Sequence, residues 1–102
     1  MISEEFLARP RQIAREVATL ARCVLGSDIE VIWFGSWPKG MAHSHADIDI
    51  AVSGCAKFPP ERLAELRIGI EDMATLHEID LVDLHTVGKR FQQEILRHGI
   101  RL

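Results

Sequence analysis

Two aspartates, Asp47 and Asp49, stand in the otherwise apolar run Asp47-Ile48-Asp49-Ile50-Ala51-Val52. Aspartate is depleted in strands and an unpaired buried carboxylate is costly, so the pair needs a reason. In an extended strand the side chains at i and i+2 share a face. Asp47 and Asp49 would then project together, with alpha carbons roughly 6.5–7 Å apart, while Ile48, Ile50 and Val52 turn toward a core. Two carboxylates on one face of a rigid strand suit a divalent cation. Mg²⁺ takes one or two carboxylates and completes its shell with phosphate oxygens and water. Two such ions about 3.5–4 Å apart can clamp the attacking and leaving oxygens of an in-line phosphoryl displacement. Taken alone, Asp-x-Asp equally describes a polar edge strand with two solvated side chains.

Gly35-Ser36 shifts the balance. It follows an apolar run and precedes Asp47 by twelve residues. A glycine there lets backbone N–H groups approach a phosphate, and the serine adds a hydroxyl donor. Lys39 and Gly40 add a positive charge and a second flexible point. The same residues also make an ordinary turn. Asp80 is a third carboxylate inside an apolar run, Ile79-Asp80-Leu81-Val82-Asp83-Leu84. It could complete a metal site or accept the proton of an attacking hydroxyl. Asp83 competes for that role but falls on the opposite face by parity, so Asp80 is preferred.

These side chains need elements to hold them. Ile13, Val17, Leu20 and Val24 recur at helical steps and predict a first helix. Pro10 fits its first turn, with a looser turn over residues 3–9, and Gly26 its stop. Residues 29–34, β-branched and aromatic, read as a strand buried on both faces. Residues 37–46 read as a loop with at most one helical turn, and residues 47–52 as the second strand. A second helix spans residues 60–76, with Leu63, Leu66, Ile70 and Met73 on one face. Residues 79–84 form the third strand, and Phe91, Ile95 and Leu96 mark a last helix stopped by Gly99. The expected class is α/β (α+β): one domain over residues 1–102, a small mixed three- to four-stranded sheet with helices packed on it.

The bulk composition fits a globular chain, 47% hydrophobic and 26% charged over 102 residues. The net charge of −3 gives no basic excess, which argues against nucleic-acid binding by charge alone. No apolar run reaches the ~20 residues of a membrane span, and the first residues lack the plan of a signal peptide. A cytoplasmic location is expected. Cys23 and Cys55 lack metal or redox spacing and read as structural thiols, Cys23 on the apolar face of its helix.

Taken in order, Gly35-Ser36-x-x-x-Gly40, Asp47-x-Asp49 and Ile79-Asp80-Leu81-Val82 resemble the DNA polymerase beta-like nucleotidyltransferase superfamily. With Phe91, Glu94-Ile95 and Gly99 in so short a chain, they are more narrowly similar to its minimal nucleotidyltransferase (MNT) branch. The resemblance covers roughly residues 10–100. It implies that Asp47, Asp49 and Asp80 bind metal, with Asp80 assisting deprotonation. Gly35, Ser36, Lys39 and Gly40 would hold the nucleotide phosphates. Mg²⁺, two ions, and ATP as substrate are implied as well. Family members commonly have Ser before the first aspartate; Ala46 stands there and removes a hydroxyl donor. Such domains are often the antitoxins of HEPN/MNT toxin–antitoxin pairs, which implies AMP transfer from ATP to a tyrosine of a HEPN partner.

Two other functions compete: a catalytically weak module that neutralises a partner by contact, and an antibiotic-type nucleotidyltransferase acting on a small hydroxyl compound. His43-x-His45 could bind Zn²⁺ beside the carboxylates but reads better as two exposed loop histidines. His77, His85 and His98 read as unremarkable residues at element ends. Trp37 could stack on a base but reads better as packing over the loop.

Overall fold

The computed structural model describes residues 4–102 apart from Ala74, with side chains from Leu7 onward. Helix α1 spans Glu4–Leu25, strand β1 Glu30–Phe34, β2 Ile48–Ser53, helix α2 Pro60–Glu71 and β3 Ile79–Asp83. A single 3₁₀ turn at Leu84–Thr86 leads to helix α3, Lys89–His98, and to β4, Ile100–Arg101. The strands form one sheet in the order β3-β2-β1-β4. β1 runs antiparallel to β2 and β4, and β2 runs parallel to β3.

Alternation along the strands builds two apolar layers. Val31 and Trp33 of β1, Ile48, Ile50 and Val52 of β2 and Leu81 of β3 pack with Ile13, Val17 and Ala21 of α1 and with Leu63, Leu66 and Ile70 of α2. On the other face Ile32, Phe34 and Ala51 meet Leu84 and Ile95 of α3 in a smaller cluster. Fully burying a side chain such as Leu66 is worth about 1.5–3 kcal/mol, so the two-helix face carries most of the stability. α3 covers only part of its own face, which leaves one end of the sheet for chemistry.

The structure corrects several sequence expectations. Pro10 is not in the first turn: α1 begins at Glu4 and runs through it, and Ser3 lies outside the described residues. Pro10 is buried, so packing offsets the hydrogen bond its ring denies the helix. α2 stops at Glu71 rather than residue 76: the Asp72 N–H still bonds Ile68 O, but the Met73 N–H turns to Ile70 O. Ala74, within that expected helix, lies outside the described residues. Asp47 precedes β2 instead of opening it, and Leu84 begins the 3₁₀ turn instead of closing β3. Cys23 is exposed, not on the packed face. The sheet takes the four-stranded form because Ile100 and Arg101 pair with β1, and the Leu102 N–H donates to Val31 O at 2.8 Å.

Candidate active site

Register places the carboxylates. Phe34, the last residue of β1, pairs with Asp49 of β2, and Asp49 pairs with Asp80 of β3. The three form one row across the end of the sheet, on the face that α3 only partly covers. Adjacent strands lie about 4.8 Å apart, which brings the Asp49 and Asp80 carboxyls within reach of each other. They share a hydrogen bond. Burial, then the charges of Asp80 and Asp47, then that hydrogen bond, push the Asp49 carboxyl up from 3.8 to about 6. Asp47 stands at the rim, exposed and just outside the strand, near enough for its charge to act on Asp49.

Gly35 sits directly beside this row. Its φ is +87°, a conformation that favours glycine, and a Cβ added there would run into the Asp49 carboxylate. Residues 36–40 form a tight turn: the Gly40 N–H donates to Trp37 O at 3.0 Å and the Met41 N–H to Ser36 O at 2.9 Å. Gly40 has φ +74°, which lets the turn reverse. Trp37 is buried, as the packing reading expected. Its Nε1 donates to Ala46 O at 3.1 Å, the carbonyl that His77 Nδ1 also meets at 3.0 Å. The two rings stand edge to face at 5.7 Å. This buried brace fixes the backbone just ahead of Asp47.

Asp49 and Asp80 open into a cavity of about 440 Å³, lined by Phe34, Gly35, Lys39 and, from α3, Phe91, Glu94, Ile95 and His98. Lys39 lines it but is not free: its Nζ donates to Glu94 Oε1 at 2.7 Å. That pairing holds the Glu94 carboxyl below its ordinary range. The Phe91 ring meets Phe34 edge to face at 5.7 Å. The sequence reading missed Phe91, Glu94 and His98 as site residues. Their spacing, with Ile95, at steps of three and four marks one helical face. That signal was available, but nothing local says which end of the sheet the face meets.

Asp83 is only 2% exposed and turned to the opposite face, as parity predicts. It accepts from the Phe58 N–H at 2.8 Å and the His85 N–H at 3.0 Å, so it anchors the connector after β2 and the 3₁₀ turn. His43 and His45 are exposed, and the His45 N–H donates to His43 Nδ1 within the same loop. Among the described residues no three His, Cys, Asp or Glu side chains converge into a ready-made ion cage.

The donor set nevertheless fits Mg²⁺. Asp80 and Asp47 place negative charge beside the half-buried Asp49 carboxyl, and Mg²⁺ takes one or two protein carboxylates, leaving its other positions to phosphate and water. No helix among the described residues is long and apolar enough to cross a membrane.

Comparison with known proteins identifies the fold and the family. No curated protein matches the chain. Among solved structures, a toxin–antitoxin complex with AMP-PNP is similar at 26% identity and a TM-score of 0.71, over 86% of this chain and 70% of that one. A mutant of the MntA-HpeT toxin–antitoxin is 28% identical with a TM-score of 0.68, over 86% and 69%. A tri-AMPylated Shewanella oneidensis HEPN toxin in complex with MNT antitoxin shares the fold at 22% identity and a TM-score of 0.66, over 90% and 70%. The family model described as polymerase beta, nucleotidyltransferase matches residues 22–102. The four-stranded sheet, its row of carboxylates and this match together place the chain in the polymerase beta nucleotidyltransferase family.

Proposed function

We propose that the chain is a protein adenylyltransferase that moves AMP from ATP to a tyrosine hydroxyl of a HEPN-domain partner, and so acts as its antitoxin. The observation that carries this reading is the Asp49–Asp80 pair beside the glycine turn at Gly35-Ser36. Asp47, Asp49 and Asp80 would hold Mg²⁺, which when bound supplies positive charge against the phosphates. Backbone N–H groups and the Ser36 hydroxyl approach the phosphate oxygens. Asp80, the more exposed of the pair, accepts the proton of the attacking hydroxyl. The hydroxyl oxygen forms a bond to the α-phosphorus, the bond to the bridging oxygen breaks, and pyrophosphate leaves with that electron pair.

The cavity is walled on one side by α3 and opens to the surface beside Asp80, which leaves room for an acceptor carried by another protein. The AMP-PNP in one similar complex and the AMPylated toxin in another point to the same nucleotide and acceptor class.

The test is to incubate the chain and its HEPN partner with ATP and Mg²⁺ and weigh the partner by mass spectrometry. Addition of AMP by the wild type, and its loss in Asp49→Asn, is expected. Equal addition by both proteins defeats the proposal. Tight association with no added AMP favours neutralisation by contact instead.

A further inference from the structure

Among the described residues lining the cavity, Lys39 is the only lysine or arginine, and it is already engaged by Glu94 at 2.7 Å. The two side chains reach toward each other from different elements, Lys39 from the turn after β1 and Glu94 from α3. They are half exposed, at 36% and 46%. Glu94 also lies 4.0 Å from His98 Nε2 on the next turn of the helix. The pair therefore spans the cavity that holds Asp49 and Asp80. A phosphate seated in the Gly35-Ser36 turn would need the charge that Glu94 now takes up.

We infer that Glu94 is a positioning residue acting through Lys39: it holds the lysine against α3 until phosphate displaces it, and thereby sets how tightly the nucleotide binds. This rests on the nucleotide reading above. The exchange is feasible because exposed ion pairs shift an equilibrium by no more than about fivefold, whereas a polyphosphate offers Lys39 several charged oxygens. The hold has a structural use without ligand, since it ties the turn at residues 36–40 to α3.

A double-mutant cycle tests it, by calorimetric titration with ATP in excess Mg²⁺. Glu94→Gln should bind about two- to fivefold more tightly than wild type, and Lys39→Met more weakly. In the Lys39→Met background, Glu94→Gln should change nothing. An equal gain in both backgrounds would mean that Glu94 acts as a bare charge, and overturns the inference, as does no gain at all. Binding by none of the proteins defeats the nucleotide reading and this inference together. A ligand-free measurement separates the two. Amides of residues 36–41 should exchange hydrogen faster in Glu94→Gln, and unchanged exchange overturns the holding role by itself.

Discussion

The backbone of Gly35 lies against the carboxylate of Asp49, with no room for a Cβ between them. The end of β1 and the centre of the site are thus fitted to each other, and a methyl group is enough to part them. In Gly35→Ala the positive φ costs about 1–2 kcal/mol, and Asp49 must move as well. Chemical denaturation should show a loss of at least that size. Mg²⁺ titration should show weaker binding even where the variant is fully folded.

The Asp49 carboxyl, raised to about 6, gives the site a pH signature. The folded chain holds a proton that the unfolded chain releases near 3.8, so it binds more protons in that window. Stability contributed by this group is therefore present at low pH and lost as pH rises from about 4 to about 6. Thermal unfolding of wild type and Asp49→Asn across that range should diverge, with the variant gaining on the wild type as pH increases.

The same proton competes with a cation. Mg²⁺ affinity should climb as pH rises through about 6 and level off above it, because the ion binds the ionised carboxylate. Asp49→Asn should both weaken binding and remove the rise. Isothermal titration at several pH values decides; a flat profile in the wild type would count against Asp49 as a ligand.

Asp80 and Asp83 are three residues apart and should behave as opposites. Asp83 is buried and accepts two backbone N–H groups. Asp83→Asn puts an amide where one acceptor oxygen stood and should cost about 1–3 kcal/mol of stability, with cation binding retained in the folded protein. Asp80→Asn should leave the melting temperature within a few degrees of wild type and abolish AMP transfer. Reversed outcomes would exchange their roles.

Much of this was legible in the sequence because period and parity are local. The two-residue step fixed which strand residues share a face, and so separated Asp80 from Asp83 before any register was known. The apolar stripes of α1 and α2 likewise follow from their own spacing. What was not legible depends on distant chain. Ile100 and Arg101 make too short a strand to show a pattern, and they pair only because β1 offers an edge. Pro10 is carried inside α1 by tertiary packing, against its local preference. Lys39 reads in sequence only as a positive charge near the phosphates, because its partner, Glu94, is fifty-five residues away. Asp47 lost its place in the strand to the backbone brace formed by Trp37, His77 and the Ala46 carbonyl.

β2 and β3 run parallel, and a parallel pair requires a crossover, here supplied by α2. β1 and β2, being antiparallel neighbours, can meet sooner, since less chain separates them. Pairing of β1 with β2 brings Phe34 beside Asp49 but leaves Asp80 unplaced until β3 docks against β2. A chain stopped before residue 79 would carry Asp47 and Asp49 without the neighbour that β3 sets beside Asp49. Under the proposed function, the paired-carboxylate site is complete only once β3 has docked.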